Sequence, residues 1–314
     1  MANHATVITV YHDGMPALLQ MIASVYTHHA LIADVIIVNN SNERIDHLSQ
    51  KRHGAPFRVR IIESGRNIGF GAANNLALRR TQTDYVLLLN PDAQLTGGFL
   101  EAAIVMMDER PEIAAVGPKL VDFYGNPHAS AFTSPSCASY FIDAFALGRF
   151  VDRRRTPARE INLCGYLCET ADWLCGAAVV LRRKVLDQIG RFDEDYFLYY
   201  EDTDLFMRIR MNGSVVMHCP QFIVRHVGRN EDGLYCDKFN SSTRIVHHSR
   251  SVLTYWRKHG RQQMPIVRAI LCASSIFKFW TWALLMLISR KTGFTAVRQR
   301  LRGYAEAAAI ALFE

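Results

Sequence analysis

The chain has 314 residues, of which 49% are hydrophobic and 21% charged, a balance that is typical of a folded protein and excludes a disordered one. Its length suits one large domain, or two that share a surface. The formal charge of +7 is concentrated at one end, because residues 241–314 carry 12 Lys or Arg against two Asp or Glu. Nucleic acid and an anionic membrane surface are therefore candidate partners.

Strands and helices are predicted to alternate through the first 120 residues. The predicted strands are 6–11, 34–38, 59–62, 85–89 and 114–116, and the predicted helices are 15–28, 97–109 and a segment that ends near Arg79. Strand–helix alternation with short connections predicts an α/β fold with a doubly wound, mostly parallel sheet.

The pattern changes after about residue 120. Residues 121–170 are rich in Gly, Pro, Ser and Arg without a clear period, and we expect long loops over the sheet. Regular structure is predicted to return as a strand at 172–181, a helix at 183–189 closed by Gly190, a helix that ends at Met211, and a strand at 214–217 before a loop with His226.

Seven cysteines lie at positions 137, 164, 168, 175, 219, 236 and 272. Their odd number and irregular spacing do not resemble a secreted disulfide framework, so we expect reduced thiols in a cytosol. Cys164, Cys168 and Cys175 could bind zinc, although their spacing matches no common zinc site. No basic and apolar leader precedes the first predicted strand, and we expect no secretory signal.

The segment from Tyr85 to Asp92 carries the first candidate site. Its five apolar residues predict a strand that is buried on both faces, and Pro91 ends this strand because it cannot donate to a sheet. Asp92 then lies at the carboxyl end of a central strand, where open α/β sheets bind ligands. Beside the amide of Asn90, its carboxylate suits a divalent cation. Alternatively, Asp92 caps the helix that is predicted to begin near Gly97.

The other parallel strands end in polar residues at the same edge. These ends supply amides for a base, glycine-flanked backbone and a cation, which together suit a nucleotide diphosphate with a divalent ion. The candidate residues are Tyr11, Asp13, Asn39, Asn40, Arg66, Asn67, Gly69 and Asn74. Gly69 and Gly71 precede a helix but complete neither a dinucleotide-binding nor a P-loop motif. Asn67, Gly69, Asn74 and Asn75 could instead be loop and cap residues.

Three carboxylates within four positions, Glu201, Asp202 and Asp204, begin a predicted helix. Acidic residues stabilise a helix N-terminus through its dipole, which is the simpler interpretation. The aromatic residues at 196–200 would also bury this start, and a carboxylate in a low dielectric gains proton affinity and can act as a general base. The residues alone favour neither interpretation.

Residues 266–289 form an apolar segment that is long enough to span a bilayer. Lys278 lies in its middle and basic residues flank both ends, which argues against translocation of one end. We expect a helix that lies in the membrane interface, with Trp280 and Trp282 at headgroup depth. The alternative is a helix packed on the catalytic domain or on a second subunit.

Five spaced motifs resemble family 2 glycosyltransferases, and the closest likeness is to the bacterial rhamnosyltransferase branch. The motifs are Asn67-x-Gly69-x-x-x-Ala73-x-Asn75, Leu89-Asn-Pro-Asp92, Trp173-x-x-Gly176, Tyr200-Glu-Asp-x-Asp-Leu205-x-x-Arg208 and His226-x-x-Gly228, within about residues 5–260. The resemblance implies the GT-A fold, a nucleotide-sugar donor, Mg²⁺ or Mn²⁺, and inversion at the anomeric carbon.

The resemblance also implies roles for individual residues. Asp92 and His226 would bind the metal, Asp202 would be the catalytic base, and Trp173 and Glu201 would bind the acceptor. Asn90 replaces the first aspartate of the family's metal motif. Asn39 stands where the family usually has an aspartate that hydrogen-bonds the base; an amide both donates and accepts, so the base specificity is open.

The resemblance divides the chain into a nucleotide-sugar-binding half at 1–120, an acceptor-binding and catalytic half at 121–240, and a basic helical region at 241–314. We expect transfer of rhamnose from a dTDP-linked donor, or another sugar from a UDP-linked one, to a lipid-linked or polysaccharide acceptor at the cytoplasmic face of the membrane. Galactofuranosyl or N-acetylhexosaminyl transfer and a non-catalytic nucleotide-sugar-binding scaffold are alternatives. We expect no nucleic-acid partner, because the aromatic residues lie inside an apolar helix rather than among basic residues. A homo-oligomer is left open.

Overall fold

A computed structural model describes residues 5–49, 57–147, 160–226, 241–288 and 294–314. The chain forms two compact units. The described residues of the first unit fall within Met1–Ser134, Thr156–Glu194 and Asp202–Cys236, and those of the second fall within Pro135–Arg155, Asp195–Glu201 and Asp237–Glu314. The second unit thus joins the C-terminal helices to two short segments from the middle of the chain.

The first unit begins with alternating strands and helices, as its sequence predicts. In chain order they are β1 (Ala5–Tyr11), α1 (Met15–Thr27), β2 (Ile32–Asn39), β3 (Arg58–Glu63), α2 (Phe70–Leu78), β4 (Tyr85–Leu89), β5 (Ala93–Leu95), α3 (Phe99–Glu109) and β6 (Ile113–Val121). The predicted ends are within a few residues of these bounds, except that β6 is much longer than the three residues expected.

Among the described residues, the later part of the chain adds seven strands and four helices before the last two helices. They are β7 (Pro127–His128), β8 (Ala131–Phe132), α4 (Cys137–Ala144), β9 (Glu160–Leu163), β10 (Tyr166–Thr170), β11 (Trp173–Leu174), β12 (Ala178–Arg182), α5 (Arg183–Ile189), α6 (Glu201–Met211), β13 (Val215–His226) and α7 (Ser241–His259). The last two helices are α8 (Met264–Ile288) and α9 (Phe294–Phe313).

The main sheet has the strand order β3-β2-β1-β4-β12-β6-β13-β10-β9. Strands β3, β2, β1 and β4 are parallel, whereas β12 runs antiparallel to both of its neighbours, β4 and β6. The α/β class is therefore confirmed, with a sheet that is mixed rather than uniformly parallel. The carboxyl ends of the four parallel strands meet at one edge, where the sequence places the candidate site.

Both faces of this sheet are buried, which explains the unbroken apolar runs in its central strands. Successive residues of a strand point to opposite faces, so Val7 and Leu87 join one core with α1 and α3. Ile8 and Leu88 join a second core with residues of α2, α5 and α6.

Two sequence predictions about the middle of the chain are wrong. Residues 121–170 contain β7, β8, α4, β9 and β10 in place of structureless loops; these elements are too short to show a period. The strand expected at 172–181 is two strands, β11 and β12, interrupted at residues 175–177. Apolar composition continues through this interruption, so the pattern could not reveal it.

The expectation of reduced thiols is wrong for one pair of cysteines. Cys168 and Cys219 form a disulfide between β10 and β13, with Cα atoms 4.3 Å apart. The strand register, in which Glu169 pairs with His218, brings the two cysteines face to face across 51 residues of chain. Cys168 is consequently no zinc thiolate. Cys137, Cys164, Cys175 and Cys272 are not in disulfides, and Cys236 lies outside the described residues.

The second unit is helical. Its core contains Val252 and Trp256 of α7, Val267 and Leu271 of α8, and Ile310 of α9. Gly303 permits α9 to approach α7 closely, because a Cβ built at this position would lie 2.8 Å from the Cα of Ser242.

Candidate active site

The pairing of two strands brings Asp92 and His226 together. Strand β5 follows Asp92 directly and runs antiparallel to β13, so that Ala93 is the register partner of His226. His226 Nε2 lies 3.3 Å from Asp92 Oδ1, and Asp92 is buried. Helix α3 begins at Phe99 behind Gly98, which has no side-chain cap, so Asp92 is not the cap of that helix. The sequence places His226 in a loop, whereas it is the last residue of β13.

Two opposing effects act on the pKa of His226. Burial is the larger single effect and lowers it, but the hydrogen bond and the charge of Asp92 together outweigh burial and leave the pKa raised. Without a cation the imidazole of this pair thus keeps its proton to a higher pH than an ordinary histidine does. A divalent cation would replace this proton.

The carboxylate of Asp202 is held at the start of α6 by backbone donors. The N–H of Thr203 donates to Oδ1 over 2.7 Å, and the N–H of Gly176 donates to Oδ2 over 3.4 Å. Burial raises the pKa of Asp202, although these hydrogen bonds act in the opposite direction. A carboxylate with a raised pKa and a fixed orientation has the properties of a general base.

A single turn connects the region of Asp202 to the region of Asp92. Gly176 donates to Asp202, and the carbonyl of the next residue, Ala177, accepts from the N–H of Asn90 over 2.8 Å. The interruption between β11 and β12 is therefore the feature that ties both acidic positions to one edge of the sheet. A Cβ on Gly176 would contact Phe70 at 3.6 Å and the Cβ of Asp202 at 3.8 Å.

Asn40, which follows β2, and Asn67, which follows β3, are both predicted to bind the donor, and they are hydrogen-bonded to each other. Asn40 is buried, its Nδ2 donates to Asn67 Oδ1 over 2.9 Å, and its Oδ1 accepts from the N–H of Ile68 over 2.9 Å. Asn67 Oδ1 also accepts from the N–H of Gly69 over 3.0 Å. These bonds fix the loop that leads into α2.

Other predicted donor residues occupy different surroundings. The hydroxyl of Tyr11 donates to Glu43 over 2.5 Å, and Asn74 is buried and donates to the carbonyl of Phe70 within its own helix. Asp13 and Asn90 are partly exposed and Arg66 is exposed, each next to or beyond the end of a parallel strand. Donor binding by these residues stays a prediction.

Asn75 fastens α2 to a distant segment. Its Nδ2 donates to the carbonyl of Phe192 and to Glu194, each over 2.9 Å, and its Oδ1 accepts from the N–H of Phe192 over 3.1 Å. Three of the four hydrogen-bonding positions of the amide are used within the protein, which assigns Asn75 a structural role.

Trp173 is part of an aromatic platform. Its ring stacks on Phe132 with centroids 3.9 Å apart, and its Nε1 donates to the carbonyl of Thr133 over 3.0 Å. The indole is partly exposed. A flat, partly exposed aromatic surface of this kind suits a sugar ring or an apolar acceptor group.

Within the second unit, the segment Asp195–Glu201 is held by α7. Ser251 donates to the carbonyl of Leu198 over 2.8 Å, and Lys258 pairs with Asp195 over 2.6 Å. Tyr199 and Tyr200 both have positive φ angles, of 69° and 66°, which bulky residues seldom adopt. Glu201, which follows them, is buried.

The remaining acid of the motif has a structural partner. Asp204 is 1% exposed, and its Oδ2 lies 2.6 Å from Arg208 Nη2. Arg208 Nη1 also donates to the carbonyl of Ile189 over 2.9 Å. This ion pair joins the first and second turns of α6 and anchors the helix beneath Asp202.

The chemistry of the Asp92–His226 pair fits a divalent cation. A carboxylate oxygen is a ligand that Mn²⁺ and Mg²⁺ prefer, an imidazole nitrogen is one that transition-metal cations accept, and the diphosphate of a donor would add oxygens. No group of three or more His, Cys, Asp and Glu converges on one position among the described residues. The protein would therefore supply only part of the coordination shell.

Three contributors to this site were not predicted. The N–H of Gly176, the stacking partner Phe132 and the carboxylate Glu63 each depend on pairing between distant segments. Only Gly176 had a signal in the sequence, since it belongs to the Trp173-x-x-Gly176 motif.

Comparison with known sequences identifies relatives with a named activity. N-acetylglucosaminyl-diphospho-decaprenol L-rhamnosyltransferase of Mycobacterium tuberculosis is 26% identical over 273 residues, which cover 83% of this chain and 86% of the relative. Rhamnosyltransferase WbbL of Escherichia coli is 26% identical over 182 residues, 56% of this chain and 67% of the relative.

Solved structures support the GT-A architecture. Crystalline GalNAc-T7 with UDP, GalNAc and Mn²⁺ superposes with a TM-score of 0.59 at 12% identity, over 97% of this chain and 55% of that one. S. aureus TarS 1–349 in complex with UDP gives 0.54 at 13% identity, over 98% and 90%. Residues 6–190, more than half of the chain, match the family model described as Glycosyl transferase family 2. The chain therefore belongs to glycosyl transferase family 2.

Proposed function

We propose that this glycosyltransferase moves a sugar, rhamnose from a dTDP-linked donor as the best candidate, to a lipid-linked acceptor in the synthesis of a cell-surface glycan, with inversion at the anomeric carbon. The rhamnosyltransferase relatives support the sugar, and the decaprenol in the name of one of them supports the acceptor class. UDP in two structural neighbours supports a nucleoside diphosphate as the carrier.

The observation that carries the proposal is the turn at Gly176 and Ala177, which bonds to Asp202 on one side and to Asn90 on the other. It ties a half-buried carboxylate with raised proton affinity to the position of the Asp92–His226 pair. A transferase needs these two functions side by side: one group to accept a proton and one site for the diphosphate.

The chemical step is a single in-line displacement. The acceptor oxygen forms a bond to the anomeric carbon while the bond from that carbon to the diphosphate breaks, and the electron pair leaves with the diphosphate. Asp202 accepts the proton of the acceptor hydroxyl. Asp92 and His226 would hold Mg²⁺ or Mn²⁺, which neutralises charge on the leaving diphosphate. No covalent intermediate is needed.

The surface of the second unit supports a peripheral location on a membrane. Helix α8 makes up most of Arg261–Leu287, a segment that could cross a membrane by length and composition. Its most apolar window has a mean hydropathy of 1.7, yet only 17% of that window is buried. A helix in a protein core would be mostly buried. Its exposed apolar side chains are Ile266, Ile276, Phe277, Trp280, Leu284, Leu285 and Leu287.

The charged residues of this region fit an interfacial helix better than a spanning one. Lys278 points away from the apolar face, with its ammonium 5.8 Å from the ring of Tyr304 on α9. Arg300 covers Trp282 at 4.1 Å, so Trp280, at 67% exposed, is the tryptophan that is available to lipid. Exposed Arg257 and Arg261 precede the helix and favour anionic lipid on the cytoplasmic side.

A donor panel tests the proposed reaction. The protein is incubated with Mn²⁺, a polyprenyl diphosphate-linked acceptor and dTDP-rhamnose, UDP-galactofuranose or UDP-N-acetylglucosamine, and the products are identified by mass spectrometry. We expect one donor to give a glycosylated acceptor. Donor binding without turnover on any acceptor would favour a non-catalytic scaffold instead.

A further inference from the structure

Asn39, the residue at the end of β2, has no hydrogen-bonding capacity left for a ligand. It is 1% exposed, and its Nδ2 donates to Glu63 Oε2 over 2.8 Å and to the carbonyl of Glu43 over 2.7 Å. Its Oδ1 accepts from the N–H of Ser41 over 3.2 Å and from the hydroxyl of Ser41 over 2.8 Å. An amide has two donors and two acceptor lone pairs, so all four are used.

Glu63 is the neighbour that Asn39 positions. The two residues are register partners at the carboxyl ends of β2 and β3. Glu63 is exposed, one of its oxygens is fixed by the amide of Asn39, and the other takes no hydrogen bond from the part of the chain that the structure describes. Glu63 therefore presents an oriented carboxylate oxygen at the edge of the sheet where strands end.

The order of strands sets the distance from Glu63 to the Asp92–His226 pair. Glu63 ends β3 and Asp92 follows β4, and β2 and β1 lie between them. Three strand spacings of about 4.8 Å separate these positions by roughly 14 Å along the edge. This is comparable to the length of an extended nucleoside diphosphate. A diphosphate near Asp92 and His226 would thus place its base near Glu63.

We propose that Glu63 is the acceptor for the ring N–H of the donor's base, with Asn39 as its positioning residue; this rests on the proposed use of a nucleoside diphosphate-sugar. Uracil and thymine carry such an N–H at N3, and guanine carries one at N1. Cytosine and adenine present a lone pair at the matching ring nitrogen, which a carboxylate repels. The site consequently selects uracil, thymine or guanine against cytosine and adenine.

Glu43 is the competing carboxylate at this edge. It is also exposed, but it accepts the hydroxyl hydrogen of Tyr11 over 2.5 Å. The bond from Asn39 goes to the backbone carbonyl of Glu43, so Asn39 orients the carboxylate of Glu63 and not that of Glu43, which Tyr11 contacts. We therefore assign base selection to Glu63, and Glu43 provides a matched control.

Calorimetry of nucleoside diphosphate binding tests the assignment without any need for turnover. UDP, dTDP, GDP, CDP and ADP are titrated with Mn²⁺ into the wild-type chain and into the Glu63→Gln and Glu43→Gln variants. We expect the wild type to bind at least one of UDP, dTDP and GDP more than tenfold tighter than CDP. Glu63→Gln should reduce this ratio at least tenfold, because an amide can donate to the lone pair of cytosine. Glu43→Gln should preserve it.

The outcomes separate this inference from the proposed function. Failure of the wild type to bind any nucleoside diphosphate would overturn both. Tight UDP, dTDP or GDP binding with an unchanged ratio in Glu63→Gln, or loss of the ratio in Glu43→Gln instead, would overturn the role of Glu63 alone. Thermal melting of each variant excludes unfolding as the cause of lost binding.

Discussion

The backbone N–H of Gly176 donates to the carboxylate of Asp202 over 3.4 Å, and this contact orients the residue to which we assign proton transfer. Strand β11 ends at Leu174 and β12 begins at Ala178, so the N–H of Gly176 and the carbonyl of Ala177 belong to neither strand. One reaches Asp202 and the other reaches Asn90. A short break in a strand thereby aligns two acidic positions from distant parts of the chain.

The first prediction concerns the loss of the proton acceptor. Asp202→Asn keeps the size of the side chain and an oxygen for the N–H of Thr203, but an amide cannot accept a proton at neutral pH. We expect kcat to fall by about 10²- to 10⁴-fold while the donor Kd changes little. Turnover assays and calorimetry measure the two quantities.

Asp187→Asn is the matched control for that variant. Asp187 lies in the same unit and makes surface ion pairs with Arg183 and Arg191, so the same chemical change should leave kcat within about twofold of wild type. Near-native turnover in Asp202→Asn would remove Asp202 from the mechanism.

The second prediction is an acid limb in the pH profile. Burial raises the pKa of Asp202, so the base loses its charge at a higher pH than an ordinary carboxyl does. We expect kcat to decline as pH falls through this raised pKa and the limb to vanish from the residual activity of Asp202→Asn. The effect on the stability of the fold has the opposite sign. Because the pKa of Asp202 is raised in the folded chain, this group stabilises the fold at low pH, and that contribution is lost as the pH rises through the raised pKa. A pH-independent kcat down to the ordinary carboxyl range would contradict the assignment.

Several of these relationships could be predicted from the sequence and others could not. The apolar run that Pro91 ends correctly predicted β4, and Gly190 correctly predicted the end of α5, because those signals are local. The bond between Asn39 and Glu63 and the approach of His226 to Asp92 arise from pairing of distant strands. Hydrophobic periodicity does not show which strands pair. The sequence therefore could not predict that the amide of Asn39 has all its hydrogen bonds within the protein, or the role of Glu63.

The third prediction tests the Asp92–His226 pair. In Asp92→Asn, burial continues to lower the pKa of His226, while the hydrogen bond to a carboxylate and the charge that raise it are gone. We expect the pKa of His226, followed by NMR of the imidazole in the metal-free protein, to fall from above its ordinary value to below it. Mn²⁺-dependent binding of the donor should be lost in the same variant. An unchanged imidazole titration would show that Asp92 does not contact His226 in solution.

The fourth prediction concerns the bond between Cys168 and Cys219. A crosslink across 51 residues restricts the unfolded chain by an amount worth about 4 kcal/mol in the chain-entropy model. We expect reduction to lower the free energy of unfolding by up to this amount, measured by urea titration with and without a reductant. Cys137, Cys164, Cys175 and Cys272, which are not in disulfides, provide the control, since their replacement by Ser should leave the effect of the reductant intact.

Thiol counting is an independent measurement on that disulfide. After denaturation without reductant, alkylation should leave Cys168 and Cys219 unmodified and label the cysteines that are not in a disulfide. Met106 Sδ lies 3.7 Å from Cys219 Sγ in the core, so reagents should reach the disulfide only after the protein unfolds. Labelling of both residues in unreduced protein would contradict the crosslink.

The fifth prediction addresses the exposed face of α8. Trp280 and Leu284 are 67% and 56% exposed and lie four residues apart, on one face of the helix. Transfer of each side chain into lipid contributes about 1.5–3 kcal/mol, so the Trp280→Ser and Leu284→Ser double variant should bind anionic vesicles at least tenfold more weakly.

Val105→Ser, at an apolar residue on α3 that is 46% exposed, should bind like wild type. Sedimentation with phosphatidylglycerol and with phosphatidylcholine vesicles separates the charge contribution from the apolar one. Equal sedimentation of all three proteins would mean that this face contacts protein instead of lipid.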